Sequence, residues 1–189
     1  MQTGGLLGYA VEDGMTIVTL EYLGRGLQLV IALPDEELPP AAAAARLTPA
    51  HFARWASLGD TGRRDVVLYL PKFKTEATTL PLAGTFQALG MKQAFDEPIG
   101  TANFERMAPR RPEDYLAISK VFHQTFVALD EEGTEAAAAT AIVMTTVASS
   151  VAAPTRPPVV VRVDRPFFFA IQHRASGTCL FLGRINDPR

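Results

Sequence analysis

Cysteine and histidine are scarce in this chain, and their scarcity argues against several kinds of site. Cys179 is the only cysteine among 189 residues, so it has no partner for an internal disulfide or a metal cluster. Its context, TCLFLG, favours a buried structural thiol over a reactive one. The histidines at positions 51, 123 and 173 show neither HxxxH nor HxH spacing, which argues against a zinc site. We therefore expect no metal and no cofactor.

Long apolar runs and an excess of one charge are also missing. No run of about 18 apolar residues occurs, so the sequence predicts no membrane-spanning helix. Eighteen basic against twenty acidic residues give a formal charge of −2, which gives no electrostatic reason to expect nucleic acid or an anionic membrane as partner. The opening residues, MQTGGLLGYAVEDG, lack the basic head and apolar run of a signal peptide. Taken alone, this predicts a cytosolic protein, an interpretation that fails if the natural N-terminus lies upstream.

Motifs of catalysis are absent as well. The sequence contains neither a GxSxG elbow nor a Walker-type glycine loop, so hydrolase and nucleotide-binding functions lack their usual support. The acidic clusters at 35–37 and 130–132 fall on predicted turns, where we expect them to be solvated. No group of residues suggests catalysis, and we expect that the protein is not an enzyme.

What the sequence does contain is a set of β-rich runs. Segments 15–23 and 27–34 are joined by Gly24-Arg25-Gly26, which is typical of a hairpin. Segments 166–173 and 179–185 are separated by the turn RASGT. Because all four are strongly apolar, we expect them in one sheet with both faces buried. Residues 63–79 are expected to be extended chain with a bend at Pro71, and residues 113–133 are expected to be mostly strand.

Helix signals are fewer and shorter. Residues 48–59 carry Thr48 as cap, a proline in the first turn and Gly59 past the end, with Trp55 on an apolar face. Residues 80–90 predict a second short helix with Leu82, Phe86 and Leu89 facing inward. The alanines at 41–45 are expected to form a helix edge or a linker. The sequence thus predicts an α+β fold, mostly antiparallel β-sheet with a few short helices.

The stretch EEGTEAAAATA at 131–141 is compatible with two structures. Alanine and glutamate favour a helix, whereas the β-branched residues that follow favour a strand. In a strand, one face would carry small uncharged residues, so the segment could enter a sheet without burying a charge. A short alanine-rich helix is the alternative. The residues on the strand face, all but the last of them small, are Thr134, Ala136, Ala138, Thr140 and Ile142.

Several motifs together resemble the serpin family of serine protease inhibitors. EEGTEAAAATA is similar to the hinge of an inhibitory serpin's reactive-centre loop, and VRVDRPFFFAI at 161–171 resembles the family's C-terminal signature. LYLPKFK, LAGTFQALGMKQAF and ISKVFHQTFVALDEEGTEAA resemble other parts of the second half of a serpin, and LGRINDP resembles its end. The matches are collinear over nearly all of the chain, so the resemblance implies the C-terminal portion of the serpin fold.

The resemblance assigns roles to individual residues. It implies a serpin domain over 1–189 and a hinge with reactive-centre loop over 131–160. Lys72 and Glu131 would form an ion pair at the top of sheet A, and His123 would lie in the shutter beneath that sheet. The implied hinge residues are Glu131, Gly133, Thr134, Ala136, Ala138 and Thr140.

The implied function is suicide-substrate inhibition of a serine protease. The protease cuts the loop and forms an acyl-enzyme, and the hinge then inserts into sheet A as a new strand. The driving force would be burial and hydrogen bonding that the native state withholds. Such a segment must first be exposed and later be buried, which explains its small side chains. Alternatives are a non-inhibitory serpin, acting as carrier or chaperone, and an inactive serpin fragment.

The resemblance also implies a partner, a location and a bond that is cut. A complete serpin is about twice this length, so an N-terminal half would be needed to complete sheet A, and an extracellular location is implied. Counting sixteen residues from Glu131 places the reactive bond at Val147–Ala148. A valine there suits elastase-like or subtilisin-like proteases with shallow apolar pockets. Rival bonds are Met144–Thr145, which shortens the inserting segment, and Arg156–Pro157, where the proline blocks cleavage.

Overall fold

The structure of the protein is a computed structural model that describes residues 1–75, 79–129 and 157–188. The described chain divides into two compact units. The first comprises Met1–Phe73 and Ala128–Arg189, and the second comprises Lys74–Val127. Within the described ranges, no helix combines the length and apolarity that spanning a membrane requires.

A seven-stranded sheet dominates the first unit, with the strand order β11-β10-β3-β2-β1-β4-β9. All neighbouring strands are antiparallel except β4 and β9, which are parallel. A short pairing of β5 with β8 accompanies it. The bounds are β1 Gln2–Glu12, β2 Met15–Glu21, β3 Leu27–Pro34, β4 Arg63–Tyr69, β5 Phe73–Lys74, β8 Ala128–Leu129, β9 Val159–Arg162, β10 Phe167–His173 and β11 Cys179–Ile185.

The strand predictions for this unit are confirmed. The segments 15–23, 27–34, 166–173 and 179–185 all contribute to the one sheet, as β2, β3, β10 and β11. β2 and β3 form the expected hairpin, and its turn places Gly24 and Arg25 at φ values of 86° and 56°. This left-handed backbone conformation costs a glycine little, which explains a glycine at the turn.

Burial differs between the inner strands and β11, and here one expectation is wrong. β2, β3 and β10 are buried on both faces over most of their length. β11 is apolar too, yet Leu180, Phe181 and Leu182 remain exposed. The prediction of two buried faces fails there because β11 is an edge strand and no other described element covers it. Cys179, at its start, is partly rather than fully buried.

Three short helices cover one face of the inner strands: α1 Pro40–Ala45, α2 Pro49–Trp55 and α3 Leu58–Thr61. Thr48 caps α2 as predicted, since its side chain accepts a hydrogen bond from the backbone N–H of His51. Trp55 is a core residue, also as predicted, and packs edge-on against Phe52. Gly59 does not terminate this helix, because α2 already ends at Trp55 and Gly59 lies inside α3.

The second unit has little regular structure. It contains the antiparallel pair β6 Thr79–Pro81 and β7 Phe122–Gln124, the helix α4 Ala83–Ala88 and a 3-10 turn at Gln93–Phe95. α4 confirms the predicted helix, but Leu89 is exposed rather than inward-facing. The prediction that 113–133 is mostly strand is wrong for the residues described, because strands occupy only Phe122–Gln124 and Ala128–Leu129.

Candidate functional site

The predicted hinge and loop, residues 131–160, follow β8 of the first unit, and the last two residues of that range, Val159 and Val160, lie in β9. The described chain stops at residue 129 and resumes at residue 157. The whole predicted hinge and the predicted bond Val147–Ala148 fall outside the described residues. The predicted site residues that lie outside the described ranges are, for the hinge, Glu131, Gly133, Thr134, Ala136, Ala138 and Thr140, and, for the bond, Val147 and Ala148.

The segment before the gap is held by side-chain and backbone contacts. Leu129, the last described residue before the gap, is buried, and β8 pairs with β5. Just before β8, Thr75 and Val127 exchange hydrogen bonds: Thr75 N donates to Val127 O at 2.8 Å, and Val127 N donates to Thr75 Oγ1 at 2.8 Å. The described residues just before the gap are therefore held by strand pairing and hydrogen bonds.

The segment after the gap is anchored in the large sheet. β9 runs parallel to β4 with Val159 opposite Val66 and Arg162 opposite Tyr69. The Arg162 guanidinium lies 4.2 Å from the centre of the Tyr69 ring, a cation–π contact. Beyond β9, Val163 N donates to Tyr69 O at 2.8 Å, and Val163 is buried. The described segments on both sides of the gap thus contain β-structure.

The signature segment continues this anchoring. Arg165 Nε donates to Pro34 O at the end of β3, at 2.9 Å. Phe167 is fully buried, and the ring of Phe73 lies 5.8 Å from that of Phe167 and 4.9 Å from that of Phe169. The phenylalanines of the signature are therefore core residues that hold β10 in the sheet.

Lys72 and His123 are the two predicted site residues that the structure describes. Lys72 is exposed and directly precedes Phe73 in β5, while its predicted partner Glu131 lies outside the described residues. His123 lies in β7 opposite Leu80 of β6, and its side chain is exposed. The two residues belong to different units. Their roles at the top of sheet A and in the shutter stay predictions.

A cluster that the sequence did not reveal joins Asp13, Thr48 and His51. His51 Nε2 lies 2.8 Å from Asp13 Oδ2, and His51 Nδ1 lies 2.7 Å from Thr48 Oγ1. The hydrogen bond from His51 lowers the pKa of Asp13, reinforced by the charge of His51 and of nearby arginines and opposed by partial desolvation. Because the Thr48 hydroxyl also caps α2, the cluster is a helix cap and not a nucleophile with its base. Asp13 and His51 are 38 positions apart, so no sequence spacing could signal the pair.

A second unpredicted cluster, around Asp96, stabilises a loop in the second unit. Asp96 Oδ1 accepts from the backbone N–H groups of Gly100 and Ala102, at 2.8 and 3.0 Å. Asp96 Oδ2 accepts from the Tyr115 hydroxyl at 2.7 Å. The bond from the Ala102 backbone, followed by the one from Tyr115, lowers the pKa of Asp96. The same hydrogen bond to Asp96 raises the pKa of Tyr115. These hydrogen bonds stabilise the loop, and they engage both Asp96 and Tyr115 in structural roles.

Neither a metal site nor a reactive thiol emerges from the described part of the chain. No three His, Cys, Asp or Glu side chains there are placed to hold a metal ion. Cys179 Sγ lies 3.2 Å from the carbonyl oxygen of Phe181, and burial raises the pKa of the Cys179 thiol. A raised pKa leaves less thiolate at neutral pH, so this cysteine is a poor nucleophile.

Comparison of the sequence with known proteins gives a consistent result over almost its full length. The sequence model of the family described as Serpin (serine protease inhibitor) matches residues 1–188. Serpin B8 of Bos taurus is 35% identical over 182 residues, which cover 96% of this chain and 46% of that protein. Macrophage plasminogen activator inhibitor 2 of Mus musculus is 35% identical over 187 residues, covering 96% of this chain and 42% of that protein. The chain thus spans less than half the length of these relatives.

Solved serpin structures also match almost the whole chain. The native-state crystal structure of the thermophilic serpin tengpin superposes with a TM-score of 0.72 at 28% identity, covering 98% of this chain and 45% of that one. Manduca sexta serpin-12 superposes with a TM-score of 0.74 at 21% identity, covering 100% and 45%, and this second likeness concerns the fold alone.

Proposed function

Because the chain belongs to the serpin family, we propose that it supplies the hinge and reactive-centre loop of a serine protease inhibitor. The observation that supports this most directly is the sequence GTEAAAAT at 133–140, a run of small residues with one charge. The flanks support it as well, since the paired strands β8 and β9 lie on either side of the undescribed residues. We assign residues 131–158 to the hinge and loop, because Val159 and Val160 belong to β9.

The proposed mechanism is cleavage followed by insertion. A serine protease attacks the loop at Val147–Ala148, and the hinge then enters sheet A as an added strand before the acyl-enzyme hydrolyses. Residues Thr134, Ala136, Ala138 and Thr140 would face inward, because residues two apart share a face of a strand. The target would be an elastase-like or subtilisin-like protease, whose shallow apolar pocket accepts valine.

Lys72 would help to set when the sheet opens. It precedes β5 directly, and Glu131 follows the described end of β8 by two residues, so the β5–β8 pairing would bring the two charges to neighbouring strand ends. An exposed ion pair of this kind contributes about 1 kcal/mol or less. We propose that His123 lies in the shutter, with its ring bonded to neighbouring backbone.

The inhibitor would also need an N-terminal half. The relatives are about twice as long as this chain, and β11 exposes three consecutive apolar side chains, Leu180, Phe181 and Leu182. Exposed apolar residues on an edge strand invite pairing with another strand. We propose that the N-terminal half covers this surface and completes sheet A around the hinge.

Two alternatives remain. A carrier or chaperone serpin needs no inserting hinge and tolerates bulky or charged residues there, so the small hinge of this chain favours inhibition. An inactive fragment would follow if this chain occurs without its N-terminal half.

The proposed location is extracellular, as the family resemblance implies. It is tested by comparing the amount of the protein in the culture medium with the amount in the cell lysate.

The hinge is tested in a polypeptide that joins this chain to the N-terminal half. We expect Thr134→Arg and Ala136→Arg each to abolish the SDS-stable complex with an elastase-like protease while the loop is still cut. The reason is that insertion would bury an unpaired charge, at a cost of several kcal/mol. Ala137→Arg is the matched control, because residue 137 lies on the opposite face of the inserted strand and its complex should persist. Undiminished complex with Thr134→Arg would refute insertion.

A further inference from the structure

The helix-covered face of the large sheet is open at the end formed by β1, β4 and β9. The backbone of α3 approaches Gly8 of β1 so closely that a Cβ atom there would lie 2.8 Å from Gly59 N. Because residues two apart along a strand share a face, Leu6, Gly4 and Gln2 continue this face beyond the helix. All three are exposed.

The register of the sheet extends the open face across three strands. Val67 of β4 is opposite Gly4 on one side and opposite Val160 of β9 on the other. A Cβ atom at Gly4 would lie 3.9 Å from Val67 Cγ2, so these two residues present the same face. The alternate residues of β4 and β9 lie on the other face and are buried: Val66, Leu68 and Val161.

This open face, which we call the sheet-end surface, has an apolar centre and a polar rim. Leu6 and Val160 are 67% and 55% exposed. The Arg162 guanidinium lies 4.2 Å from the centre of the Tyr69 ring, so both side chains are held in place before any partner binds. An apolar centre with tyrosine and arginine beside it is typical of protein–protein interfaces. The surface consists of Leu6, Asp65, Val67, Tyr69, Val160 and Arg162.

β9 connects this surface directly to the proposed reactive loop. Eleven positions separate Ala148, which follows the proposed cut, from Val159, which begins β9. Even a fully extended chain of that length spans at most about 40 Å. A domain of about 200 residues has a radius of gyration of about 16 Å and hence a diameter of about 40 Å. A protease bound at the cut is therefore within its own width of β9.

We propose that the sheet-end surface is a second contact site for the target protease, outside the loop that the protease cuts. This inference rests on the proposed inhibitory function. The surface that we assign to the N-terminal half lies on β11, at the opposite edge of the sheet, whereas β9 forms the edge next to the loop. The matching protease surface would be apolar at its centre, with a carboxylate facing Arg162.

The test uses the polypeptide that joins this chain to the N-terminal half. The measured quantity is the second-order rate constant with which an elastase-like protease consumes the loop, whether complex or cleaved product results. Leu6→Gln combined with Val160→Thr should lower this constant about fivefold or more, because both changes remove apolar groups from the centre of the contact. The fraction of consumed loop that ends as SDS-stable complex should not change, since neither residue belongs to the hinge.

Val11→Thr is the matched control. Val11 is 61% exposed and lies in β1 like Leu6, but five positions further along, and therefore on the other face of the strand. The control should keep the wild-type rate constant. Both variants should keep the wild-type melting temperature, because all the replaced side chains are exposed.

Three outcomes would overturn the inference. The first is an equal rate constant for the double variant and the control. The second is a melting temperature that the double variant lowers only in the joined polypeptide, which would mean that the N-terminal half covers the surface. The third is a dimer of the joined polypeptide that the double variant dissociates, which would assign the surface to a second copy.

Failure of the proposed function gives a different result. A loop that is cut without any SDS-stable complex would refute inhibition, yet the rate constants of cutting would still test the sheet-end surface. A loop that the protease does not cut would refute both.

Discussion

Strands β10 and β11 are adjacent in the same sheet and similar in composition, yet only one of them is core. β10 buries Phe167, Phe168, Phe169 and Ala170 almost completely. β11 carries CLFLGRI and leaves Leu180, Phe181 and Leu182 at 52%, 39% and 54% exposure. The difference is position, because β10 lies between two strands whereas β11 lies at the edge of the sheet. An apolar strand sequence alone therefore does not show whether the strand is buried by residues of this same chain.

The contact between the two strands shows that β11 is nevertheless fitted to its neighbour. Gly183 is paired with Phe169, and a Cβ at Gly183 would lie 2.5 Å from the Phe169 ring. Glycine is required there because the ring of Phe169 packs over the backbone of β11. One side of β11 is thus complementary to β10, and its other side is the surface that we assign to the N-terminal half.

The largest effect is expected for a matched pair of phenylalanine truncations. Phe167→Ala should lower the free energy of unfolding by about 3–5 kcal/mol, because Phe167 is fully buried. Phe181→Ala should cost about 1 kcal/mol or less in this chain, because its side chain is partly solvated. Urea unfolding followed by the fluorescence of the single tryptophan, Trp55, measures both.

The same pair tests what covers β11. In a polypeptide that includes the N-terminal half, the cost of Phe181→Ala should rise toward that of Phe167→Ala. An unchanged small cost in the longer polypeptide would mean that the N-terminal half leaves this surface open.

A smaller effect is expected at the cap of the helix over the inner strands. Thr48→Ala should lower the free energy of unfolding by about 1 kcal/mol, because the α2 N-terminus loses its side-chain acceptor and His51 loses a partner. Ser57→Ala is the control, since Ser57 precedes α3 without a side-chain cap bond. Equal melting temperatures of the two variants would contradict a capping role for Thr48.

The smallest effect is expected in the second unit, at the Asp96 loop. Its folded-state pKa is lowered, so Asp96 contributes stability that is present above its unfolded pKa and is lost as the pH falls through its folded pKa. Acid should therefore loosen the loop below about pH 4. In Asp96→Asn this acid-dependent step should be missing. Amide exchange of Gly100 and Ala102 between pH 2 and 6 measures it, and identical pH profiles would contradict the assignment.

Much of the first unit was predictable, because its strands and turns carry local signals. The hairpin glycines, the Thr48 cap and the apolar runs of β2, β3 and β10 each act within a few residues. The exposure of β11 was not predictable, because it depends on what lies beyond the edge of the sheet. Residues 113–121 were predicted as part of a long strand, whereas the structure gives them only an isolated bridge between Asp114 and Arg111.

The site divides in the same way. The family resemblance predicts the hinge and the signature because both are written in continuous sequence. The Glu21–Arg174 ion pair and the Asp13–His51 pair escaped prediction, because their members are brought together only by the folding of distant segments. Glu21 and Arg174, for example, are 153 positions apart, yet a carboxylate oxygen and a guanidinium nitrogen lie 3.3 Å from each other.

The most direct test of the inhibitory assignment is the position of the first cut. An elastase-like protease is added in limiting amount to the polypeptide that joins this chain to the N-terminal half, and the released C-terminal fragment is weighed by mass spectrometry. We predict a fragment that begins at Ala148, because Val147 offers the small aliphatic side chain that such a protease accepts. A first cut outside residues 144–150 would contradict the assignment of this loop.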